Sequence, residues 1–142
     1  MNRDVEPVSP ARSPREGAFV PPVQIYAPAL DKVIRTLPNT QDIRGSAEAW
    51  LNAAGGLSPR LRLQEESRLV LRIPMHPPLP VSKAGLTFHC RELFLLIPAP
   101  GAKENPQLLA FSTGEGTYVF ECTWDTLRPF WNQYSLGELT YH

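Results

Sequence analysis

The chain has 142 residues and carries 14 basic and 14 acidic side chains, so its formal net charge is zero at neutral pH. This balance argues against a protein that coats nucleic acid, because non-specific binding to phosphates needs a clear excess of cations. Apolar residues make up 42% of the sequence, which excludes a wholly disordered chain and suits one folded domain.

The first 27 residues predict an extended, proline-rich arm ahead of the folded domain. Large apolar residues are few there, so the segment cannot bury enough surface to fold alone, and its prolines favour extended backbone. The apolar end of the arm, Phe19–Tyr26, would be costly to leave in water, so we expect it to lie against the domain or a partner. Prolines in this region or at its boundary are Pro7, Pro10, Pro14, Pro21, Pro22 and Pro28.

The order of the predicted elements defines an α+β domain over residues 28–137, followed by a short tail over residues 138–142. Two short N-terminal helices precede an antiparallel sheet of about four to five strands, and a C-terminal helix packs on one face of that sheet. A doubly wound α/β fold is not expected, because crossover connections of adequate length are missing.

Two helices are predicted at the start of the domain. The first begins at Pro28 and ends before Pro38, because its apolar residues recur at helical spacing. The second ends at Gly55–Gly56 and begins at about Ser46, since Gly45 would weaken an earlier first turn. The apolar face of the second helix consists of Ile43, Ala47, Trp50, Leu51 and Ala54.

The middle of the chain is predicted to be β-structure. Alternating apolar and polar residues indicate strands over residues 60–64 and 68–73, although the Ser58–Pro59 pair could instead open a helix over residues 59–67. Residues 75–80 contain three prolines and are expected to form a connection without ladder hydrogen bonds.

The predicted central strand lies within Gly85–Pro98, and its apolar residues change sides partway along. A β-bulge near Arg91–Glu92 would explain this change, because one extra residue moves the following side chains to the other face. Alternatively, residues 93–97 are buried on both faces. Residues 108–111 and 117–122 flank a glycine-rich turn and predict a hairpin.

The last predicted element is a helix that begins at Asp125 or Thr126 and ends at Gly137. This start places Pro129 within the first turn, where a proline is tolerated. The apolar stripe of the helix is Leu127, Phe130, Trp131 and Tyr134.

The strongest functional signal is an excess of aromatic residues near the C-terminus. Tryptophan and tyrosine are over-represented at the energetic centres of protein interfaces, and one helix face can bury only about three such rings. Proline-rich segments dock on flat aromatic surfaces, so the arm could cover these rings or share a partner with them. The predicted partner-binding residues are Phe19, Tyr26, Trp124, Phe130, Trp131 and Tyr134.

A second hypothesis assigns nucleic-acid contacts to one face of the sheet. Arginines that alternate with leucines would line the outer side of the strands, and Phe88 and Phe94 could supply stacking rings. The zero net charge and the lack of a recognised nucleic-acid-binding motif weigh against this hypothesis. The arginines concerned are Arg60, Arg62, Arg68, Arg72 and Arg91.

No catalytic, metal-binding or cofactor-binding motif is recognisable, so we expect neither a metal ion nor a cofactor. His89 and Cys90 are the only closely spaced candidate metal ligands, but adjacent residues of a strand point to opposite faces. An enzyme would need polar residues that converge only in the folded chain, such as His89, Glu121 and Asp125.

Cys90 and Cys122 are expected to be reduced thiols, and a disulfide between them is the alternative if the strands that carry them pair. Two cysteines are too few for a small secreted scaffold, and the N-terminal segment lacks the apolar stretch of a secretory signal. The longest apolar run is too short to cross a membrane. We therefore expect a cytoplasmic protein without membrane contacts.

These features predict a non-enzymatic protein-interaction module, namely a small adaptor, inhibitor or assembly subunit. It would bind a protein partner, or a second copy of the chain, through the proline-rich arm and the aromatic C-terminal helix. A nucleic-acid-associated regulator and a small enzyme are the alternatives.

Overall fold

The computed structural model describes residues 20–55, 67–83, 85–99 and 103–141. The elements are β1 (Val23–Ala27), β2 (Lys32–Leu37), α1 (Gln41–Ala53), β3 (Ser67–Lys83), β4 (Leu86–Pro98), β5 (Gln107–Ser112), β6 (Thr117–Glu121), α2 (Trp124–Gln133) and a C-terminal 3-10 helix (Leu136–Tyr141). The strands form one antiparallel sheet in the order β2-β1-β3-β4-β5-β6. The predicted α+β class is confirmed, but the described part of the sheet has six strands rather than four to five.

Residues 28–37, predicted as a helix, instead form a tight turn and strand β2. The N–H groups of Leu30 and Asp31 close the turn by donating to the Ala27 carbonyl, at 3.0 and 2.9 Å. The β-branched residues of β2 favour a strand, and its pairing with β1 contains a register shift. Such a shift places neighbouring apolar residues in a spacing that resembles that of a helix.

The apolar end of the predicted arm lies in the sheet. β1 is placed between β2 and β3, and its residues Val23 and Ile25 are fully buried. The sheet therefore begins at Val23, ahead of the predicted domain boundary at residue 28, because burial removes these side chains from water. Phe19 and the residues before it lie outside the described residues.

One face of the sheet carries the hydrophobic core. The register aligns one fully buried residue from each of five neighbouring strands in a single row across the sheet. Side chains of both helices, including Ile43, Trp50 and Leu127, belong to the same core, which confirms the predicted apolar face of α1. The row consists of Ile25, Leu71, Leu95, Leu108 and Phe120.

β4 contains the β-bulge that its apolar pattern predicts. The register of β4 against both neighbouring strands shifts between Cys90 and Glu92. Buried side chains change parity at this point, from Phe88 and Cys90 before the bulge to Leu93 after it. The prediction of a bulge near Arg91–Glu92 is therefore confirmed.

The proline-rich part of β3 is not the ladder-free connection predicted for residues 75–80. Ladder pairing is lost over Met75–Pro78 and then resumes, with Pro80 opposite His89. Among the described strands, β1 pairs only with residues 70–72 of β3, so at Pro80 the other side of β3 is an unpaired edge. A proline is tolerated there, because no N–H is needed on that side.

Two other strand predictions are confirmed. Residues 68–73 lie within β3, and β5 and β6 form the predicted hairpin. The Ser112 N–H donates to the Gly116 carbonyl at 3.0 Å and so closes the turn of this hairpin. The strand predicted over residues 60–64 lies outside the described residues.

Both helices begin earlier than predicted, each at a threonine N-cap. Thr40 Oγ1 accepts a hydrogen bond from the Ile43 N–H at 3.3 Å, and Gly45 is tolerated inside α1 because it is exposed. Thr123 caps α2 in the same way, so Pro129 lies in the second turn rather than the first. Pro129 has no N–H to donate to the carbonyl of Asp125, four residues earlier. Because Pro129 is exposed, water can donate to that carbonyl instead.

α2 ends at Gln133 rather than at the predicted stop, Gly137. Ser135 adopts a left-handed conformation with φ of 55°, and the chain continues as the 3-10 helix. Leu136 is fully buried, which attaches this segment to the core. The predicted tail therefore begins within the 3-10 helix.

The cap assignment makes a prediction for α1. Thr40→Ala should lower the free energy of unfolding by about 1 kcal/mol, because the N-cap hydrogen bond is lost. Ser46→Ala is the matched control, since Ser46 lies inside α1, where alanine has the higher helix propensity. Chemical denaturation of both variants checks this, and a loss of stability for Ser46→Ala alone would contradict the assignment.

Candidate functional site

Trp124, Trp131 and Tyr134 form a partly exposed surface, which we name the α2 aromatic surface. Trp124 and Trp131 lie about two helical turns apart and therefore on the same side of α2. Their rings meet edge to face, with centroids 5.4 Å apart and an interplanar angle of 87°. All three side chains are half-buried, because one part of each packs against the core while the rest remains at the surface.

Phe130, one of the predicted partner-binding residues, belongs to the core. It is 2% exposed, and its ring contacts Trp50 of α1 and Tyr134 at centroid distances of 4.9 and 4.7 Å. Phe130 therefore packs between Tyr134 and Trp50 and joins the two helices. The helical stripe in the sequence could not distinguish this buried ring from its half-exposed neighbours.

A shallow groove of about 300 Å³ lies beside the α2 aromatic surface. It is lined by Trp131, Asn132, Ser135, Gly137 and Glu138. The left-handed turn at Ser135 brings Gly137 so close to the indole that a Cβ atom at Gly137 would lie 3.3 Å from Trp131 Nε1. This groove was not predicted from the sequence, because Gly137 is also typical of a helix end.

The end of α2 is attached to the sheet by one arginine. Arg35 of β2 donates a hydrogen bond through Nη1 to the Tyr134 carbonyl at 2.8 Å. A positive charge at the C-terminal end of a helix is also favoured by the helix dipole. The hydrogen bond and the charge–dipole attraction of this one side chain hold the end of α2 in place relative to the sheet.

Tyr26 lies apart from the α2 aromatic surface. Successive residues of a strand point to opposite faces, and Ile25 faces the core, so Tyr26 faces the other side of the sheet. Its hydroxyl donates to the Asp31 carboxylate, and this hydrogen bond is the main cause of a raised pKa for Tyr26. From the predicted set, the structure therefore brings Trp124 and Trp131 into contact, while the Tyr134 ring contacts Phe130 on the same helix.

The face of the sheet opposite the core, which we name the open face, carries two of the predicted arginines around one carboxylate. Arg72 pairs with Glu92 and donates to Gln24 Oε1 at 3.2 Å. Arg91 Nη1 lies 3.8 Å from Glu92 Oε1, and Arg91 Nε donates to the Ser112 carbonyl at 3.1 Å. The Glu92 carboxylate therefore offsets one of the two positive charges of these side chains.

Three further arginines belong to the predicted set. Arg68 lies at a register shift near the start of β3 and is half-buried. Arg60 and Arg62 lie outside the described residues.

Two phenylalanines accompany the arginines on the open face. Phe94 and Phe111 meet edge to face with centroids 5.5 Å apart, and the Arg91 guanidinium lies 5.4 Å from the centre of the Phe111 ring. Phe88, predicted as a stacking residue, is instead buried on the core side against Tyr118. Phe111 was missed because its position depends on the register across the bulge.

The polar residues of the enzyme hypothesis do not converge. Glu121 pairs with Gln107 at the start of β5, whereas the carbonyl of His89 accepts a hydrogen bond from Thr113, beyond the end of β5. These positions are roughly 20 Å apart along the sheet at the usual rise per residue. No group of three His, Cys, Asp or Glu side chains that could hold a metal ion occurs within the described ranges.

Cys90 and Cys122 are free and buried. Cys90 pairs with Ser112 at one end of β5, whereas the Cys122 N–H donates to the Pro106 carbonyl near the other end, so the two thiols cannot form a disulfide. Burial raises the pKa of each thiol from 9.0 to about 11.

Both thiols should resist alkylation at neutral pH in the native protein and react once it is unfolded. The folded protein holds these thiol protons more tightly than the unfolded chain does. This contribution to stability is therefore complete below pH 9 and is lost as the pH rises toward about 11. Cys90→Ala should make the decline in unfolding free energy over this range less steep, and an unchanged slope would contradict the burial of the thiol.

In comparisons with known proteins, the chain matches no family model, no curated protein sequence and no solved structure. None of the helices in the described part of the chain is long and apolar enough to span a membrane.

Proposed function

We propose that this protein is a non-enzymatic protein-interaction module, a small adaptor, inhibitor or assembly subunit. It binds a protein partner through the α2 aromatic surface. The observation that carries this proposal is the half-buried Trp124–Trp131 pair beside an open groove. Tryptophan and tyrosine supply much of the binding energy at protein interfaces, where they bury a large ring and still have a polar group for a hydrogen bond.

The fixed position of these rings supports a binding role. Binding is weakened by the loss of side-chain freedom, and an aromatic ring that is already packed loses little. Trp131 contacts the Trp124 ring and lies close to Gly137, while Arg35 holds the end of α2. These side chains therefore lose most of their conformational freedom when the protein folds, and binding a partner restricts them little further.

The groove suits an extended apolar segment. Its volume of about 300 Å³ is at the lower end of the range for binding pockets, which is enough for one or two side chains. Proline-rich segments in an extended conformation commonly bind to tryptophan-lined grooves. We include the proline-rich arm in the proposal as a second segment that contacts the same partner.

The charges around the groove favour a protein over a polyanion. Glu138 lines the groove, and Arg128 in the middle of α2 is paired with Asp125 at 3.3 Å. A phosphate backbone would therefore meet a carboxylate without an excess of cations to compensate for it.

A second candidate function rests on the open face. Arg91 over Phe111, and Arg72 beside Phe94, combine guanidinium groups with half-buried rings, as single-stranded nucleic-acid sites do. Glu92 offsets this arrangement, because it pairs with both arginines. The experiment must therefore distinguish nucleic-acid binding at the open face from protein binding at the α2 aromatic surface.

The test uses two matched pairs of rings in the full chain. The Trp124→Ala/Trp131→Ala variant removes the pair on α2, and the Phe94→Ala/Phe111→Ala variant removes an edge-to-face pair on the open face. A protein recovered with the wild-type chain from native cell extract is purified and its Kd measured against both variants. The tryptophan variant should bind about thirtyfold more weakly or worse, while the phenylalanine variant binds normally.

Thermal unfolding first establishes that both variants are folded at the assay temperature. Equal binding by wild type and the tryptophan variant would contradict the proposal. Salt-sensitive binding of a single-stranded oligonucleotide, lost only in the phenylalanine variant, would favour the second candidate instead.

A further inference from the structure

β2 forms one edge of the sheet that the structure describes. Its inner side pairs with β1 over Lys32–Leu37, and no other described strand lies beyond it. The outward N–H and C=O groups of an edge strand can pair with an extended segment of another chain.

A shallow apolar groove runs beside this edge. We name it the β2 edge groove. Its volume is about 350 Å³, and it lies between β2 with its preceding turn and the C-terminal 3-10 helix. Its lining residues are Leu30, Lys32, Val33, Ile34 and Leu139.

The apolar lining of this groove is unusually exposed. Leu30 and Val33, at 44% and 43%, are the exposed large hydrophobic residues of the described part of the chain. Both lie at the same groove, rather than scattered singly over the surface. Exposed apolar side chains that occur together mark interaction sites, whereas isolated ones need no explanation.

We propose that the β2 edge groove binds an extended segment of a partner protein that alternates apolar and acidic side chains. The segment adds to the sheet as a further strand beside β2. Its alternate apolar side chains lie against Val33, and the carboxylates between them meet the ammonium group of Lys32 on the other face, because Val33 and Lys32 pair with Tyr26 and Ala27 on opposite faces of the sheet. Main-chain hydrogen bonds supply affinity in this mode of recognition, and the side-chain contacts supply specificity.

Charge decides between an acidic partner segment and a second copy of the chain. β2 carries Lys32 and Arg35 and contains no acidic residue. Lys32 forms no ion pair with a carboxylate in the described ranges, and Arg35 is directed to the Tyr134 carbonyl. The Asp31 carboxylate in the preceding turn is engaged by the Tyr26 hydroxyl. The exposed Lys32 ammonium groups of two such edges would therefore repel each other, whereas an acidic segment is attracted. A lysine on an edge strand opposes self-pairing in the same way.

The experiment titrates the isotope-labelled full-length chain with two blocked synthetic peptides. Each has six residues, the length of β2. One alternates glutamate with valine, and the other alternates lysine with valine. Amide hydrogen exchange and chemical shifts of β2 and Leu139 report binding. The glutamate peptide should protect outward-facing amides of β2 and bind about threefold more tightly than the lysine peptide.

A charge-reversal variant tests the role of Lys32. Lys32→Glu should reverse the preference between the two peptides, and Lys103→Glu, at an exposed lysine outside the groove, should leave it unchanged. Absence of protection in β2, or an unchanged preference in Lys32→Glu, would overturn the proposal.

Two further outcomes would identify a different occupant and also overturn it. Protection of β2 that increases with protein concentration, without any peptide, would identify a second copy. An increase in peptide affinity in Asp4→Asn/Glu6→Asn would show that the chain's own arm occupies the edge. The groove is distinct from the α2 aromatic surface, so this result does not depend on the proposed function.

Discussion

Replacing Trp50 with alanine is expected to lower the free energy of unfolding by about 3–5 kcal/mol, measured by equilibrium denaturation. The Trp50 side chain is 2% exposed, and its ring meets Phe130 edge to face at the contact between α1 and α2. Removal of the indole leaves a cavity that the two helices cannot close without losing their contacts with the sheet. The effect is therefore the sum of lost burial and the remaining cavity.

Trp131→Ala is the control for this prediction. The same type of ring is removed, but Trp131 is only half-buried, and the space that it leaves opens to solvent. We expect a loss of about 1–2 kcal/mol, in proportion to the smaller area buried. Equal losses for the two variants would contradict the division of aromatic residues into a core ring and a surface ring.

Leu95→Ala should lower the free energy of unfolding by about 2–5 kcal/mol, whereas Phe94→Ala should lower it by about 1 kcal/mol. The two residues are neighbours on β4 and point to opposite faces of the sheet. Leu95 is fully buried in the middle of the core row, while Phe94 is half-buried on the open face. The smaller side chain therefore contributes more to stability than the larger one.

This pair of variants tests the parity change at the bulge. Without the bulge, the parity of Phe88 and Cys90 would continue along β4 and would place Phe94, rather than Leu95, in the core. Denaturation curves for both variants decide between the two arrangements. A greater loss of stability for Phe94→Ala would contradict the assigned faces.

Sequence reasoning succeeded where burial depends on local periodicity. The alternation of Leu69, Leu71 and Ile73 follows directly from one strand with one face in the core. The parity change between Cys90 and Leu93 is equally local, because a single extra residue is enough to produce it. These features could be predicted without knowledge of which strands are neighbours.

Prediction from the sequence failed where the same apolar spacing fits both a helix and a strand. Val33 and Ile34 fit the spacing of an apolar helix face, but in the structure they lie beside a register shift in β2. The strand that pairs with β2 is β1, whose residues were assigned to the proline-rich arm. Pairing between β1 and β2 is a tertiary contact, and it overrides the helical pattern.

The candidate site was predicted by residue type but not by face. Trp124 and Trp131 are in contact, but Phe130 is buried because Trp50 of another helix covers it. The groove beside Trp131 depends on the positive φ of Ser135, an uncommon conformation for a residue other than glycine. The sequence gives no sign of it.

The central claim is that the α2 aromatic surface binds a protein partner, and site-specific photo-crosslinking tests it most directly. A photoreactive phenylalanine analogue replaces Asn132, an exposed residue of the groove beside Trp131, and in a second variant Thr117, an exposed residue next to the open face. After irradiation in native cell extract, the Asn132 variant should give one protein adduct that disappears when Trp124 and Trp131 are replaced by alanine. Adducts formed only from the Thr117 variant, or adducts that contain nucleic acid, would contradict the claim.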